Sequence, residues 1–336
     1  MSVPLRRIVV DDSDPAIQYG SGWSLVDPQK LDTIGNYGPV YNGTSHTIVG
    51  TSSTLSFPFN GTSITVTGTL AITTTNNVSD PTWDCFVDDM KIPNPNPTFQ
   101  FPENNWDLCD QSQIAPGSHM LTLQVQSKGT PFYIDKIMYT PLPTVKEETA
   151  VLEYSNVDPA VSFGPGWSPW GVQNVTQVTG AQVALNFHGS AVSLFGYVPT
   201  ELPHNASFAS YTIDGVNPTT FTLNGLAAQS ATVYNVLILS TNNLSPTTHN
   251  LVVTYEGNSA LTPLVVGAFY VTNISTPSTT TSGVPQSSSS SDASTVATTT
   301  TKHNSAGAIA GGIIGCLAVL AFIVGLVFWC RRRRRR

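Results

Sequence analysis

The sequence predicts an all-β protein: two tandem β-sandwich domains, followed by a disordered stalk and one transmembrane α-helix. Three observations predict it. Short segments alternate apolar and polar residues at period two, as in T-L-S-F-P-F, S-I-T-V-T-G, M-L-T-L-Q-V and L-V-V-T-Y, separated by G-T, P-G and N-P-N-P turns. A set of blocks occurs twice in the same order. After Ile274 the composition changes abruptly, first to Ser and Thr, then to an uncharged apolar run.

The repeat is the firmest of these. Y-G-S-G-W-S at Tyr19–Ser24 returns 144 positions later as F-G-P-G-W-S at Phe163–Ser168. Asp14-Pro15-Ala16-Ile17 precedes the first and Asp158-Pro159-Ala160-Val161 the second. Phe59, Gly61, Ile64, Val66 and Gly68 then match Phe187, Gly189, Val192, Leu194 and Gly196. F-V-D-D parallels Y-T-I-D-G, A-P-G-S-H-M-L-T-L-Q-V parallels S-P-T-T-H-N-L-V-V-T-Y, and P-F-Y-I-D-K-I-M-Y parallels P-L-V-V-G-A-F-Y-V. Residues 1–142 therefore read as a first sandwich and 150–275 as a second, each of ordinary domain size. The linker Pro141–Glu148 holds two prolines, three charges and no apolar run, so few contacts are expected to cross it. No amphipathic helix precedes the C-terminal apolar run, which favours sandwiches over α/β folds. The bracketing glycines mark a turn, and the aromatic and tryptophan beside them read as a plug at one end of each sandwich.

Residues 276–304 are Ser/Thr-rich with little to bury, and read as a disordered stalk. Residues 306–330 are 25 residues without a charge, and a helix of that length spans about 37 Å, enough for the ~30 Å hydrocarbon core. Residues 331–336 are all arginine; the positive-inside rule places them in the cytosol and the sandwiches outside, a single-pass plasma-membrane arrangement. Gly307, Gly311 and Gly315 share one face of that helix, a spacing that admits a homodimer, although membrane helices are rich in glycine generally. The opening M-S-V-P-L-R-R-I-V-V-D-D has no apolar core of a signal peptide, and the start is read as truncated. Sequons at Asn42, Asn60, Asn77, Asn174, Asn205, Asn243 and Asn273 are candidate N-glycosylation sites.

Only 10% of the residues are charged, the formal net charge is −7, and the arginine run is the sole basic block, which excludes a nucleic-acid-binding face. Cys85 and Cys109 stand in the first repeat, 24 positions apart, and an outward-facing domain makes them a disulfide. Trp83, Trp106 and Trp170 are candidate platforms for sugar rings, with core packing as the competing role. His119 and His249 occupy equivalent points before a strand and read as turn residues. No G-x-S-x-G, H-E-x-x-H or glycine-rich phosphate loop occurs. Asp88 and Asp89 are adjacent on a strand and so cannot face each other as a hydrolytic pair. No enzyme is expected.

The blocks D-D-S-D-P, W-D-C, N-N-W-D-L-C, G-S-H-M-L-T-L-Q-V and F-Y-I-D-K-I-M-Y together resemble a family of fungal single-pass surface proteins. Their ectodomains are tandem galactose-binding-like jelly rolls on a Ser/Thr-rich stalk, with a basic tail. The resemblance covers nearly the whole chain, but the second repeat lacks the cysteines, and the family carries no established activity. F-Y-I-D-K-I also resembles the closing strand of carbohydrate-binding modules of this fold, where an Asp often ligates a structural calcium; that implies Asp11, Asp12, Asp14 and Asp135 as a calcium set, with no other cofactor. Gly267 stands in the position of Asp135 in the second repeat, so no paired site is expected there. The resulting expectation is a non-catalytic ectodomain that binds glycans or cell-wall polysaccharide; the alternative is a structural or wall-stress-sensing glycoprotein without a specific ligand. Protease added to intact cells is expected to remove both sandwiches and leave a short membrane stub; full protection of the N-terminal region would reverse the topology.

Overall fold

The computed structural model describes residues 6–95, 99, 101–228 and 230–273. The expected stalk, the expected membrane span with Gly307, Gly311 and Gly315, and the arginine run lie outside the described residues. Among the described residues no helix is long and apolar enough to cross a membrane.

The described chain is all-β, built of antiparallel sheets with short 3-10 turns at Pro28–Lys30 and Tyr41–Gly43. In the first repeat the organising element is Ser52–Leu70, a 19-residue strand. Its first half pairs with Gly117–Gln126, which in turn carries Thr82–Val87 and then Met90–Ile92. Its second half pairs with Lys136–Pro141 on one side and Glu103–Gln111 on the other. The strand changes partners near Gly61, where a Cβ would collide with the Thr140 carbonyl. The second repeat divides the same path into Gln182–Gly189 and Ala191–Val198, and a Cβ on Gly189 would meet the Thr272 carbonyl in the same way. The repeated glycines thus answer a repeated close approach of backbone to backbone.

In both repeats the tryptophan after the glycine bracket packs on the core and is tied by its indole N–H. Trp23 Nε1 donates to the Thr54 carbonyl at 3.1 Å, and Trp167 Nε1 to the Gln182 carbonyl at 2.8 Å. The aromatic at the start of each motif lies against its tryptophan, with ring centroids 5.3 Å apart for Tyr19–Trp23 and 5.0 Å for Phe163–Trp167.

The repeats are joined by a continuous sheet, and the expectation of few contacts between them does not hold. Residues of the linker form turns, Val145 N to Leu142 O and Ala150 N to Glu147 O, that reverse the chain. Val151–Ser155 then pairs antiparallel with Arg7–Asp11, in the register Arg7↔Glu153, Ile8↔Leu152, Val9↔Val151. Through this pair one sheet of 12 strands runs from Val233–Thr241 in the second repeat to Met90–Ile92 in the first. Ile8 and Leu152 face each other across the seam inside a core cluster that draws on both repeats. Outside that core the seam is closed by charge: Arg7 Nε donates to Glu153 at 2.6 Å, and Arg6 makes a forked pair with Asp158 at 2.8 and 3.1 Å while lying 3.7 Å over the Tyr154 ring.

Periodicity could not reveal this, because R-I-V-V-D and V-L-E-Y-S each read as strands without naming a partner. Truncating Leu152, which is buried at the seam, to alanine is expected to cost about 2–5 kcal/mol. The loss should lower the melting of both repeats together, as read by tryptophan fluorescence and by protection of Cys109 from thiol reagents under reducing conditions. A first-repeat transition that stays in place would show the sheet is not shared energetically.

Candidate functional site

Cys85 and Cys109 form a disulfide between Thr82–Val87 and Glu103–Gln111, with Cα atoms 6.3 Å apart and both residues fully buried. It ties the far edge of the sheet to a strand whose ladder partner is Ser52–Leu70. The second repeat has no counterpart.

Trp83 is not a platform. It is 6% exposed, lies 5.3 Å from the Phe132 ring and donates its indole N–H to the Leu108 carbonyl at 3.0 Å. The strand W-D-C-F-V puts Trp83, Cys85 and Val87 on one face, and that face is the core. Trp106 and Trp170 are half-buried. Trp106 stacks on Phe99 at 4.4 Å and meets the edge of Tyr37 at 6.0 Å; Tyr37 meets Tyr234 at 5.0 Å, and Tyr234 meets Tyr197 at 5.4 Å. Trp170 packs on the small cluster of Val175, Tyr197 and Val265. Two tryptophans from different repeats therefore end on one run of rings, which crosses the junction at Tyr37–Tyr234.

Of the four aspartates of the calcium set, three converge and one does not. Asp14 closes a turn by accepting from Ala16 N at 2.8 Å. Asp12 is fully buried, with Oδ2 2.6 Å from His46 Nδ1 and Oδ1 accepting from Thr44 Oγ1 at 2.6 Å. Asp135 is fully buried, accepts from Tyr41 N at 2.9 Å, and leaves Oδ2 3.7 Å from Lys136 Nζ. Burial raises Asp12 above the usual carboxylate range against the opposing bonds from Thr44 and His46. Burial pushes Asp135 up to about 7, with Lys136 and the Tyr41 amide acting the other way. Among the described residues no group of three or more His, Cys, Asp or Glu is placed to hold a metal ion. Asp14 is taken up by its own turn, while Asp11 Oδ1 and Asp135 Oδ2 are buried without a hydrogen-bond partner.

The sequons Asn42, Asn60, Asn77, Asn205 and Asn243 are exposed. Asn174 and Asn273 are half-buried, and Asn174 Oδ1 accepts from Asn156 Nδ2 at 2.7 Å.

One concavity was not anticipated. It is a cleft of about 550 Å³ on the outer face of the joined sheet. Its floor is second-repeat strand, with Ser193, Phe195, Leu237 and Tyr270; its wall is the first-repeat segment around Tyr41, with Asn105 and Lys136 beside it. Tyr41 and Tyr270 meet edge to face at 5.6 Å, and Phe195 lies 4.9 Å from Tyr270. Lys136, only 6% exposed, donates to Asn105 Oδ1 at 2.7 Å with its ammonium 5.5 Å from the Tyr41 ring centre. Asn105 and Asn235 fix the wall from either side, both donating to the Tyr37 carbonyl, at 3.0 and 3.1 Å. Tyr234 N donates to Asn36 O at 2.8 Å and Asn36 Nδ2 to Thr232 O at 2.6 Å. One sequence signal points to this wall. Trp23 and Leu55 are 32 positions apart, but Trp167 and Val183 only 16, so the first repeat carries a surplus segment. That surplus is the piece that packs on the second repeat.

His119 and His249 are more than turn residues. Each has Nδ1 against an aspartate, Asp88 at 2.6 Å and Asp214 at 2.7 Å, an arrangement that resembles a catalytic dyad. Each has Nε2 against a backbone carbonyl, Ala115 at 2.7 Å and Ser245 at 2.8 Å. Neither ring nitrogen is left for a substrate.

No family model and no curated protein sequence matches the chain. Among solved structures it is similar to a two-domain esterase (CEX) active on acetylated mannans, co-crystallised with mannopentaose, at 14% identity and a TM-score of 0.31, covering 41% of this chain and 40% of that one. The chain thus spans well under half of the esterase. It is similar to the CBM22-1-CBM22-2 tandem domain from Paenibacillus barcinonensis Xyn10C at 9% identity and a TM-score of 0.25, covering 82% of this chain and 100% of that one. It is similar to the plant receptor-like kinase FER at 7% identity and a TM-score of 0.25, covering 79% and 95%. Likenesses at this level assign neither ligand nor activity.

Two outcomes follow from the buried groups. Cys85→Ser should lower stability by roughly 2–4 kcal/mol and leave Cys109 reactive to thiol reagents once the chain unfolds locally. Asp135→Asn should act in the opposite sense. The folded carboxyl holds its proton up to about 7, above its unfolded value, so its ionisation destabilises the fold progressively as pH rises through the range between them. The amide keeps the acceptor for Tyr41 N and removes that ionisation. Denaturant titrations should show Asp135→Asn gaining on the order of 2–4 kcal/mol over wild type between mildly acidic and alkaline pH, and a pH-independent difference would refute the assignment.

Proposed function

We propose that the chain is a non-catalytic surface protein that binds a neutral glycan in the cleft between its repeats. The observation that carries this reading is the composition of the cleft: the rings of Tyr41, Phe195 and Tyr270 beside the amides of Asn105 and Asn235 and the hydroxyl of Ser193. Aromatic faces pack on the C–H faces of sugar rings, and amides and hydroxyls exchange hydrogen bonds with sugar hydroxyls. The charged lining groups are Lys136 and Asp32, and Lys136 is already held by Asn105. That balance favours a neutral polysaccharide over an acidic one. The absence of a free nitrogen on either His–Asp pair supports binding without turnover.

The C-terminal apolar run and its arginines support a single-pass anchor with the sandwiches outside, in the arrangement of the fungal surface proteins that the sequence resembles. In this reading the ligand is a wall or surface polysaccharide. The continuous sheet supports a second reading, a strain-transmitting glycoprotein with no specific ligand, because force applied to one repeat passes through backbone hydrogen bonds to the other.

A glycan array probed with the full chain separates the two. Binding to neutral oligosaccharides is expected, and Leu237→Asp and Tyr41→Ala should each weaken it by about tenfold, near 1.4 kcal/mol. Leu237 is 50% exposed, so its replacement should leave folding intact. Uniformly blank arrays, or binding indifferent to both substitutions, would overturn the cleft assignment.

A further inference from the structure

The two His–Asp pairs match atom for atom across the repeat. Asp88 sits in the turn after Thr82–Val87, and Asp214 in the turn after Ser207–Ile213, with positive φ of 49° and 53°. One oxygen of each carboxylate faces Nδ1 of the histidine, and the other accepts from the amide after it, Met120 N at 2.9 Å and Asn250 N at 2.8 Å. Nε2 of each ring reaches back four residues to the carbonyl of Ala115 or Ser245. The rings lie over Phe59 at 5.4 Å and Phe187 at 5.6 Å, which are themselves repeat-matched. Each ring thus ties a hairpin turn to the loop entering the neighbouring strand. In the second repeat that loop follows Asn242, a cleft residue.

A neutral imidazole has one N–H and one lone pair. Here both nitrogens face oxygen acceptors, so the neutral ring can satisfy one and must set its lone pair against the other. The imidazolium satisfies both. We propose that the two clasps are acid-set latches, closed while the ring is protonated and loosened in both repeats as the medium turns alkaline.

The charged group facing His119 is Asp88 and that facing His249 is Asp214; the remaining neighbours are the two phenylalanine rings, the two carbonyls and, for His249, the hydroxyls of Ser245 and Thr247 at 3.5 Å. Burial acts to lower both histidines, but the Asp88 and Ala115 contacts raise His119, and the Ser245 and Asp214 contacts raise His249, each above the ordinary imidazole value. Asp88 is lowered by the His119 bond and then the Met120 amide, and Asp214 by the Asn250 amide and then the His249 bond. The signs define a window. A raised histidine contributes fully below its unfolded value, about 6.5, and loses the contribution as pH climbs through the folded value. A lowered aspartate contributes above its unfolded value, about 3.9, and loses it as pH falls through the folded value. The latch is complete between them.

The test uses the full chain in detergent micelles with ring-labelled histidine. In the wild type, His119 and His249 should titrate above about 6.5 by NMR. Asp88→Asn and Asp214→Asn retain the oxygen for the Met120 and Asn250 amides but remove the charge, and each should bring its own histidine down while leaving the other unmoved. The thermal midpoint of the wild type should fall by about 2–4 °C more than that of the double variant between roughly pH 6 and 8.5. Comparison with the variant cancels the contribution of Asp135, which titrates in the same direction. Wild-type rings titrating at or below about 6.5, or titrations unmoved by the asparagine substitutions, would overturn the proposal, and the wild-type titration decides it even if a variant does not fold.

Discussion

The structure depends on the backbone pairing of Arg7–Asp11 with Val151–Ser155. Without it, each repeat would present a bare strand edge with buried-type side chains, Ile8, Val9 and Val10 on one and Leu152 and Tyr154 on the other. Such edges associate with whatever strand is available. Here the available strand is the sister repeat, and the linker turns place it in register. The charged pairs Arg7–Glu153 and Arg6–Asp158 then fix which strand is accepted, and Arg6 covers the Tyr154 ring. The pairing leaves second-repeat strands with an outer face beside the first repeat, and the cleft is formed there.

Duplication alone would not have made that cleft. The matched parts of the repeats, the glycine close approaches, the tied tryptophans and the His–Asp pairs, serve each sandwich separately. The unmatched part is the segment between Trp23 and Leu55. It places Tyr37 on Tyr234, Asn36 on Thr232 and Tyr234, and Tyr41 on Tyr270. Its backbone is held by four side-chain amide bonds from two adjacent residues of the strand Glu103–Gln111: Asn104 to the Leu31 and Gly38 carbonyls, and Asn105 to those of Tyr37 and Pro39. An insertion in one copy has become the surface by which it meets the other.

Much of this was legible. Alternation located the strands, and the repeat showed that Gly61 and Gly68 answer to the same constraint as Gly189 and Gly196. Cys85 and Cys109 could be paired because they are the two cysteines of the repeats. For Trp83 both roles, platform and core packing, were left open although the sequence held a signal: in W-D-C-F-V it shares a face with Cys85, which is buried. The aspartates of the calcium set were grouped only by resemblance; in the sheet Asp11 stands opposite Lys136, next to Asp135, while Asp14 caps its own turn. Their charge state was not legible, because it depends on burial supplied by Thr44, His46 and Tyr41 from the inserted segment. The same holds for the cleft. Phe195, Leu237 and Tyr270 lie on three strands separated widely in sequence, and no local pattern states that they share a face with Tyr41.

The titrating groups of both repeats have a common direction. Asp12 and Asp135 hold protons more tightly in the fold because they are buried, and His119 and His249 because both of their nitrogens meet acceptors. Two unrelated causes thus have the same thermodynamic sign: the folded chain binds more protons than the unfolded chain across the weakly acidic range, so stability declines as pH rises through it. The opposing groups, Asp80, Asp88 and Asp214, are lowered by hydrogen bonds to their charged forms, and their contribution fails only in stronger acid, below the ordinary carboxylate value. The two sets do not cancel, because they act at opposite ends of the range. The buried carboxyls of Asp12 and Asp135 adjoin the wall of the cleft through Thr44 and Tyr41. Alkaline conditions therefore load negative charge behind the same segment that the amides of Asn104 and Asn105 hold in place.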